Sequence, residues 1–179
     1  MSDFREEILA RLRACVATLA PGVVYTFPGG RTHRPIVTDL KGRAYDKARA
    51  EQTFDSSECP FAEVLTSSTT EDAVETNDDD MYTSDLNVDV WGFLKSDDAG
   101  DGKNSPVRAA LNAFRADLIV AVEAFPFWTS ADYPEPIIRR VGLIQTTLKS
   151  QFTEPATHSP DAYLKLSYAI RYSFTRLDP

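Results

Sequence analysis

Apolar positions along the chain change period several times. Phe4, Ile8, Leu12, Cys15, Val16 and Leu19 recur at helical spacing and form one stripe, with Arg5, Arg11 and Arg13 on the other face. Asp3 stands at the N-cap with Glu6 three residues on, a capping box whose acidic groups suit the positive end of the helix dipole. Pro21-Gly22 stops this helix. A short β-like run, Val23-Val24-Tyr25-Thr26-Phe27, ends at Pro28-Gly29-Gly30. Strands dominate the middle: Phe61 to Thr66, then Ala73 to Thr76 with an acidic tip at Asn77-Asp78-Asp79-Asp80, then about Tyr82 to Lys95. In this last strand Leu86, Val88, Val90 and Leu94 alternate with Asp85, Asn87, Asp89 and Trp91, the period-two pattern of a half-buried strand. Ser105 caps a second helix, and Pro106 takes its first position, where the missing N–H costs nothing. Its stripe is Val107, Leu111, Phe114, Leu118, Val122 and Phe125, and Pro126 ends it.

Two long strands close the chain. Pro136 to about Phe152 contains Ile138, Ile144 and Leu148, with apolar residues on both parities near its start. From Ala162 to Phe174 the alternation is strict: Leu164, Leu166, Tyr168, Ile170, Tyr172 and Phe174 face one way, with Lys165, Ser167, Arg171, Ser173 and Thr175 facing the other. The Pro155–Pro160 connection suits a hairpin between the two strands. The pattern predicts one α+β domain over residues 1–179, in the order α-β-β-β-α-β-β. Its mostly antiparallel sheet carries both amphipathic helices on one face, because the other face is half polar. Leu118 and Tyr168 belong to the predicted core. Trp91 and Phe93 fall on the open face, a candidate interface, since sizeable exposed apolar patches mark contact surfaces.

Residues 31–57 fit this scheme least. They carry Arg31, Arg34, Lys41, Arg43, Lys47 and Arg49 among few large apolar residues, the only basic stretch of the chain. The expectation is a long surface loop with a partial helix near Ala44–Ala50. Loops of that length are uncommon in compact domains unless they contact a partner, which makes Arg31, Arg34, Lys41 and Arg43 a second candidate interface.

Composition narrows the function classes. With 42% hydrophobic and 26% charged residues in a 179-residue chain, the sequence is globular and can bury one core. A net charge of −8 argues against a protein that grips nucleic-acid phosphates, while leaving room for DNA to slide past an acidic wall. Cys15 and Cys59 have no partner at disulfide-framework or zinc spacing and read as small apolar residues. His33 and His158 lie apart in separate loops, and no nucleophile-elbow, Walker, dinucleotide-binding or zinc-protease motif occurs. The stretch Asp97 to Gly102 fails as a calcium loop, because Ala99 and Arg108 stand where ligands belong. Asp78, Asp79 and Asp80 read as a hairpin tip kept soluble by charge, or as a channel or docking loop that repels phosphate. The acidic, polar N-terminus lacks signal-peptide character and no apolar run matches a bilayer, so the expected setting is reducing and aqueous. No active site, metal or cofactor is expected.

The order of elements resembles the tail terminator (tail completion, minor tail U-like) proteins of long-tailed bacteriophages. The carrying segments are the opening helix Arg5-Glu6-Glu7-Ile8-Leu9-Ala10-Arg11-Leu12, the run Pro60-Phe61-Ala62-Glu63-Val64-Leu65 and the long strand Ser84–Phe93. The helix Val107–Phe125 and the closing strand Tyr163–Phe174 complete the series. The resemblance spans nearly the whole chain and is one of pattern, without a signature motif; the basic 31–57 segment and the long 126–136 connection depart from it. It implies a non-catalytic virion protein made in the host cytoplasm and located in the tail. Six copies would form a ring on the last ring of the tail tube, stop tube growth and present a surface to a head-completion or neck protein. DNA would pass through the centre without specific binding, and no membrane would be involved. Two other readings stay open at this level: another neck or tube protein of the virion, and a cytoplasmic ligand-binding or enzymatic α+β domain.

Overall fold

In the computed structural model, residues 4–26, 30–33, 39–46, 59–67, 74–76, 81–95, 106–124, 138–150 and 161–175 are described. Along them run α1 (Phe4–Ala17), β1 (Tyr25–Thr26), β2 (Thr32–His33), β3 (Ala44–Tyr45), β4 (Phe61–Thr66) and β5 (Val74–Thr76). Then follow β6 (Met81–Lys95), α2 (Pro106–Glu123), β7 (Ile138–Ser150) and β8 (Asp161–Thr175). The main sheet has the order β3-β4-β6-β8-β7, with β5 pairing β6 beyond the end of β4. All its pairings are antiparallel except β3 against β4. The fold class is therefore the expected α+β.

The sheet is organised by β6 and β8, which pair without interruption from Met81↔Thr175 to Lys95↔Asp161. This register sets Leu86 opposite Ile170, Val88 opposite Tyr168 and Val90 opposite Leu166, so two apolar rows merge into one buried face. Ile8, Leu12, Val16 and Leu19 of the first helical stripe join the same core, as do Leu111, Phe114, Leu118 and Val122 of α2. Both helices thus cover one side of the sheet, and Leu118 and Tyr168 are buried as the pattern predicts. The capping residues Asp3 and Ser105 lie outside the described residues.

Gly92 sets how closely α2 can approach. It sits opposite Leu164 on the helix-covered face, and a Cβ there would lie 2.7 Å from the Phe114 ring and 2.9 Å from the Leu118 side chain. The missing side chain lets two large α2 residues pack directly on strand backbone. Further along α2, the Cys15 thiol of α1 donates to the Ala121 carbonyl at 3.2 Å. Burial pushes this thiol up from its ordinary 9.0 to about 11.

The basic segment departs from expectation. Ala44–Tyr45 is a short strand parallel to β4, in place of the start of a helix, and Thr32–His33 pairs with β1. Leu40 is fully buried in the core. Its N–H donates to the Leu19 carbonyl at 2.9 Å, while the Ala62 N–H donates to the Arg43 carbonyl at 3.0 Å. One leucine in a polar stretch therefore pins that stretch between the end of α1 and the start of β4.

Two outcomes test this packing. Gly92→Ala should destabilise the protein by about 1–3 kcal/mol, the usual cost of overpacking, read as a lower denaturation midpoint. A second substitution, Phe114→Leu, should recover part of that loss. Stability should also fall as pH rises from 9.0 towards about 11. In that window the unfolded thiol of Cys15 gives up its proton before the folded one does, so the unfolded state binds fewer protons and is favoured. Cys15→Ala should flatten this part of a stability–pH curve measured with denaturant.

Candidate interaction surface on the helix-free face

The other parity of β4, β6 and β8 forms the face that no helix covers. The strand register lays out its rows: Phe61, Phe93 and Tyr163; then Tyr45, Glu63, Trp91 and Lys165; then Leu65, Asp89 and Ser167; then Asp85 and Arg171. The alternation that buries one side thus forces aromatic and charged groups together on the other.

One end is aromatic. Phe61 and Phe93 stack at 4.6 Å between centroids, Trp91 stacks on Phe93 at 6.4 Å, and Tyr163 tilts against Trp91 at 5.7 Å. Tyr45 meets Phe61 edge-on at 5.8 Å. The result corrects one expectation: Phe93 is only 5% exposed, buried within its own aromatic cluster. Trp91 remains half-buried and keeps a place on the surface.

The centre is ionic. Asp89 is 8% exposed, accepts from the Ser167 hydroxyl at 2.7 Å and pairs with the Lys165 ammonium at 2.8 Å. That ammonium lies 5.2 Å from the Trp91 ring centroid, within cation–π range. Further along, Arg171 forks onto both oxygens of Asp85, each at 2.9 Å. Asp85 and Arg171 sit directly opposite each other on neighbouring strands and Lys165 reaches Asp89 on the diagonal, positions where opposite charges stabilise a sheet. Ser167 donates to the Asp89 carboxylate, and these contacts tie β6 to β8. Among the described residues no three His, Cys, Asp or Glu side chains gather as metal ligands.

The other sequence-level candidates are scattered. Arg31 is exposed beside the β1–β2 hairpin, and Lys41 is exposed on a turn at φ 49°, with its N–H donating to the Asp39 carboxylate. Arg43 is half-buried and donates from Nε to the Leu40 carbonyl at 3.1 Å, so it serves its own turn. Arg34, Asp78, Asp79, Asp80 and His158 lie outside the described residues, as does the stretch Asp97 to Gly102. Sequence reasoning missed three features. Glu63 and Asp117 are buried and engaged in interactions, with no local pattern to mark them. Leu143 and Ile144 on β7 are exposed, and apolar residues on both parities were the available signal. In the core, the Tyr168 hydroxyl has no hydrogen-bond partner among the described residues, and burial raises its pKa.

Lys165→Met should destabilise the chain by about 1–3 kcal/mol, because Asp89 would keep one hydroxyl partner for a nearly buried charge. Adding Asp89→Asn should cost less than the sum of the two single changes in a double-mutant cycle measured by denaturation.

No helix among the described residues is long and apolar enough to cross a membrane. No protein-family model matches the chain, and no curated protein matches it.

Proposed function

We propose that the chain is a virion structural protein of a long-tailed bacteriophage. It forms a ring at the head-proximal end of the tail tube, ends tube polymerisation and joins tail to neck, with DNA passing through the ring. The observation that carries this reading is the order and layering of elements. A leading helix precedes a sheet centred on the long β6, a second helix follows, and β7–β8 closes the chain with both helices on one face. That order resembles the tail terminator pattern along nearly the whole length. The partners are further copies of the chain, the tail tube protein and a head-completion or neck protein.

Two physical features support the reading. A net charge of −8 repels phosphate, which favours passage of DNA over capture. The polar groups described on the helix-free face pair with one another, as the Asp89 and Asp85 contacts do, and such a face suits assembly better than turnover. Asp78, Asp79 and Asp80 fit the same scheme as a channel-lining or docking tip. Three adjacent carboxylates are too costly to bury unpaired, so they meet water, a cation or a basic partner.

Electron microscopy of particles assembled with and without the chain tests this function. Without it, tails should grow to uncontrolled length and fail to join heads; with it, tubes should end in a ring. A chain that itself polymerises into tubes would make it a tube protein. A monomer that never enters particles would overturn the virion reading. Changing Asp78, Asp79 and Asp80 together to Lys should impair ejection or joining, and normal infectivity would remove these residues from the channel.

A further inference from the structure

We propose that residues 39–46 form a latch that opens as a unit, with the core intact, and uncovers the outer edge of β4. The proposal stands apart from the ring reading and is tested on the isolated chain.

The latch is seated by one side chain. Of residues 39–46 Leu40 alone is buried, and it is fully buried. Lys41, Gly42 and Asp46 are exposed, and the other four are half-buried. Segments that bury so little open locally at lower cost than core strands do. The backbone bonds that tie it down are also few. The Leu40 N–H donates to the Leu19 carbonyl at 2.9 Å, and the Ala62 N–H donates to the Arg43 carbonyl at 3.0 Å. The parallel bridge of β3 to β4 covers two positions, Ala44↔Ala62 and Tyr45↔Glu63.

The turn at the head of the latch is strained. The Leu40 carbonyl accepts from the Arg43 N–H at 2.9 Å, across Lys41 at φ 49° and Gly42 at φ 79°. Positive φ at both central residues is the requirement of a type I′ turn, which favours Asn-Gly over Lys-Gly. Lysine enters the left-handed region at a cost, eased here by the Asp39 carboxylate, which accepts from the Lys41 N–H at 3.0 Å. The tail ends on an ion pair at the surface. Asp46, with 58% of its side chain exposed, meets Arg13 of α1 at 2.9 Å, and such exposed pairs contribute little. These two residues line a hollow of about 250 Å³ with Ala44 and Tyr45, and a second of about 300 Å³ with Val64, Leu65 and Thr66. The segment therefore spans open space beside α1 without filling it.

What opening changes is the sheet edge. Val64, Leu65 and Thr66 pair with β6 and have no second strand beside them among the described residues. Loss of the β3 bridge extends that open edge through Ala62 and Glu63 and frees the Ala62 N–H. An unpaired edge is a template on which another strand adds, so the latch decides how much of β4 is presented.

Amide hydrogen exchange, followed by NMR on the full chain at graded low denaturant, tests the latch. The amides of Leu40, Arg43 and Ala62 should exchange together, about tenfold or more faster than those at the centre of β6 and β8. Their exchange should depend little on denaturant, because local opening exposes little surface. Lys41→Asn should slow it severalfold by suiting the positive φ, and Leu40→Ala should speed it more than about tenfold. Ile170→Val, a mild change in the core of β8, should speed exchange at the centre of β6 and β8 and leave the three latch amides unchanged. If the latch amides share one rate and one denaturant slope with β8, or if Ile170→Val speeds both groups alike, the separate opening is overturned. Latch amides with no protection in the wild type would overturn it too, since the segment would then not be seated.

Discussion

The structure depends on one antiparallel pairing, that of β6 with β8. Its register is unbroken from Met81↔Thr175 to Lys95↔Asp161, and it alone decides which residues face the helices. Because side chains alternate, a slip of one residue would carry Leu86, Val88 and Val90 to the helix-free face and bring Asp85, Asn87 and Asp89 into the core. Charge pairs guard the same register from the other side. Asp89 meets Lys165 and Ser167, and Asp85 meets Arg171, only when the apolar rows are also aligned. Burial and ion pairing therefore favour one alignment, and agreement between independent terms is what gives a sequence a single fold.

Once that ladder is set, the helices have little freedom. Gly92 opens a shallow place on the buried face, and Phe114 and Leu118 fill it. At Gly92 the helix side chains lie directly on the strand backbone. The cavities described lie instead at the sheet's β3–β4 edge, along α1.

The long periodic elements were legible in the sequence because burial acts on whole rows of residues. The β8 alternation from Leu164 to Tyr172 and the α2 stripe from Leu111 to Val122 appear in the structure as read. What escaped was decided by contacts remote in sequence. Ala44 and Tyr45 lie in an alanine- and charge-rich stretch that favours a helix, yet a parallel bridge to Ala62 and Glu63 makes them a strand. Leu40 carries no periodicity, and its role follows from reaching Leu19. Phe93 has the parity of the open face, and the rings of Phe61, Trp91 and Tyr163 pack against it there. The candidate site was less legible than the fold for the same reason: Trp91, Asp89 and Lys165 acquire their relation from the β6–β8 register, which no single strand encodes.

An open sheet must also deal with two ends, and here the ends differ in kind. One is broken into the short strands β3 and β5, which leave part of β4 without a second neighbour among the described residues. Short, interrupted edges resist indiscriminate pairing. The other end is the long β7, where a register shift beside Ile144 interrupts the flat ladder that aggregation requires. Neither end is a good copy of the other. The same alternation that built the core therefore leaves a sheet whose two ends differ, one interrupted by short strands and one formed by a single long strand.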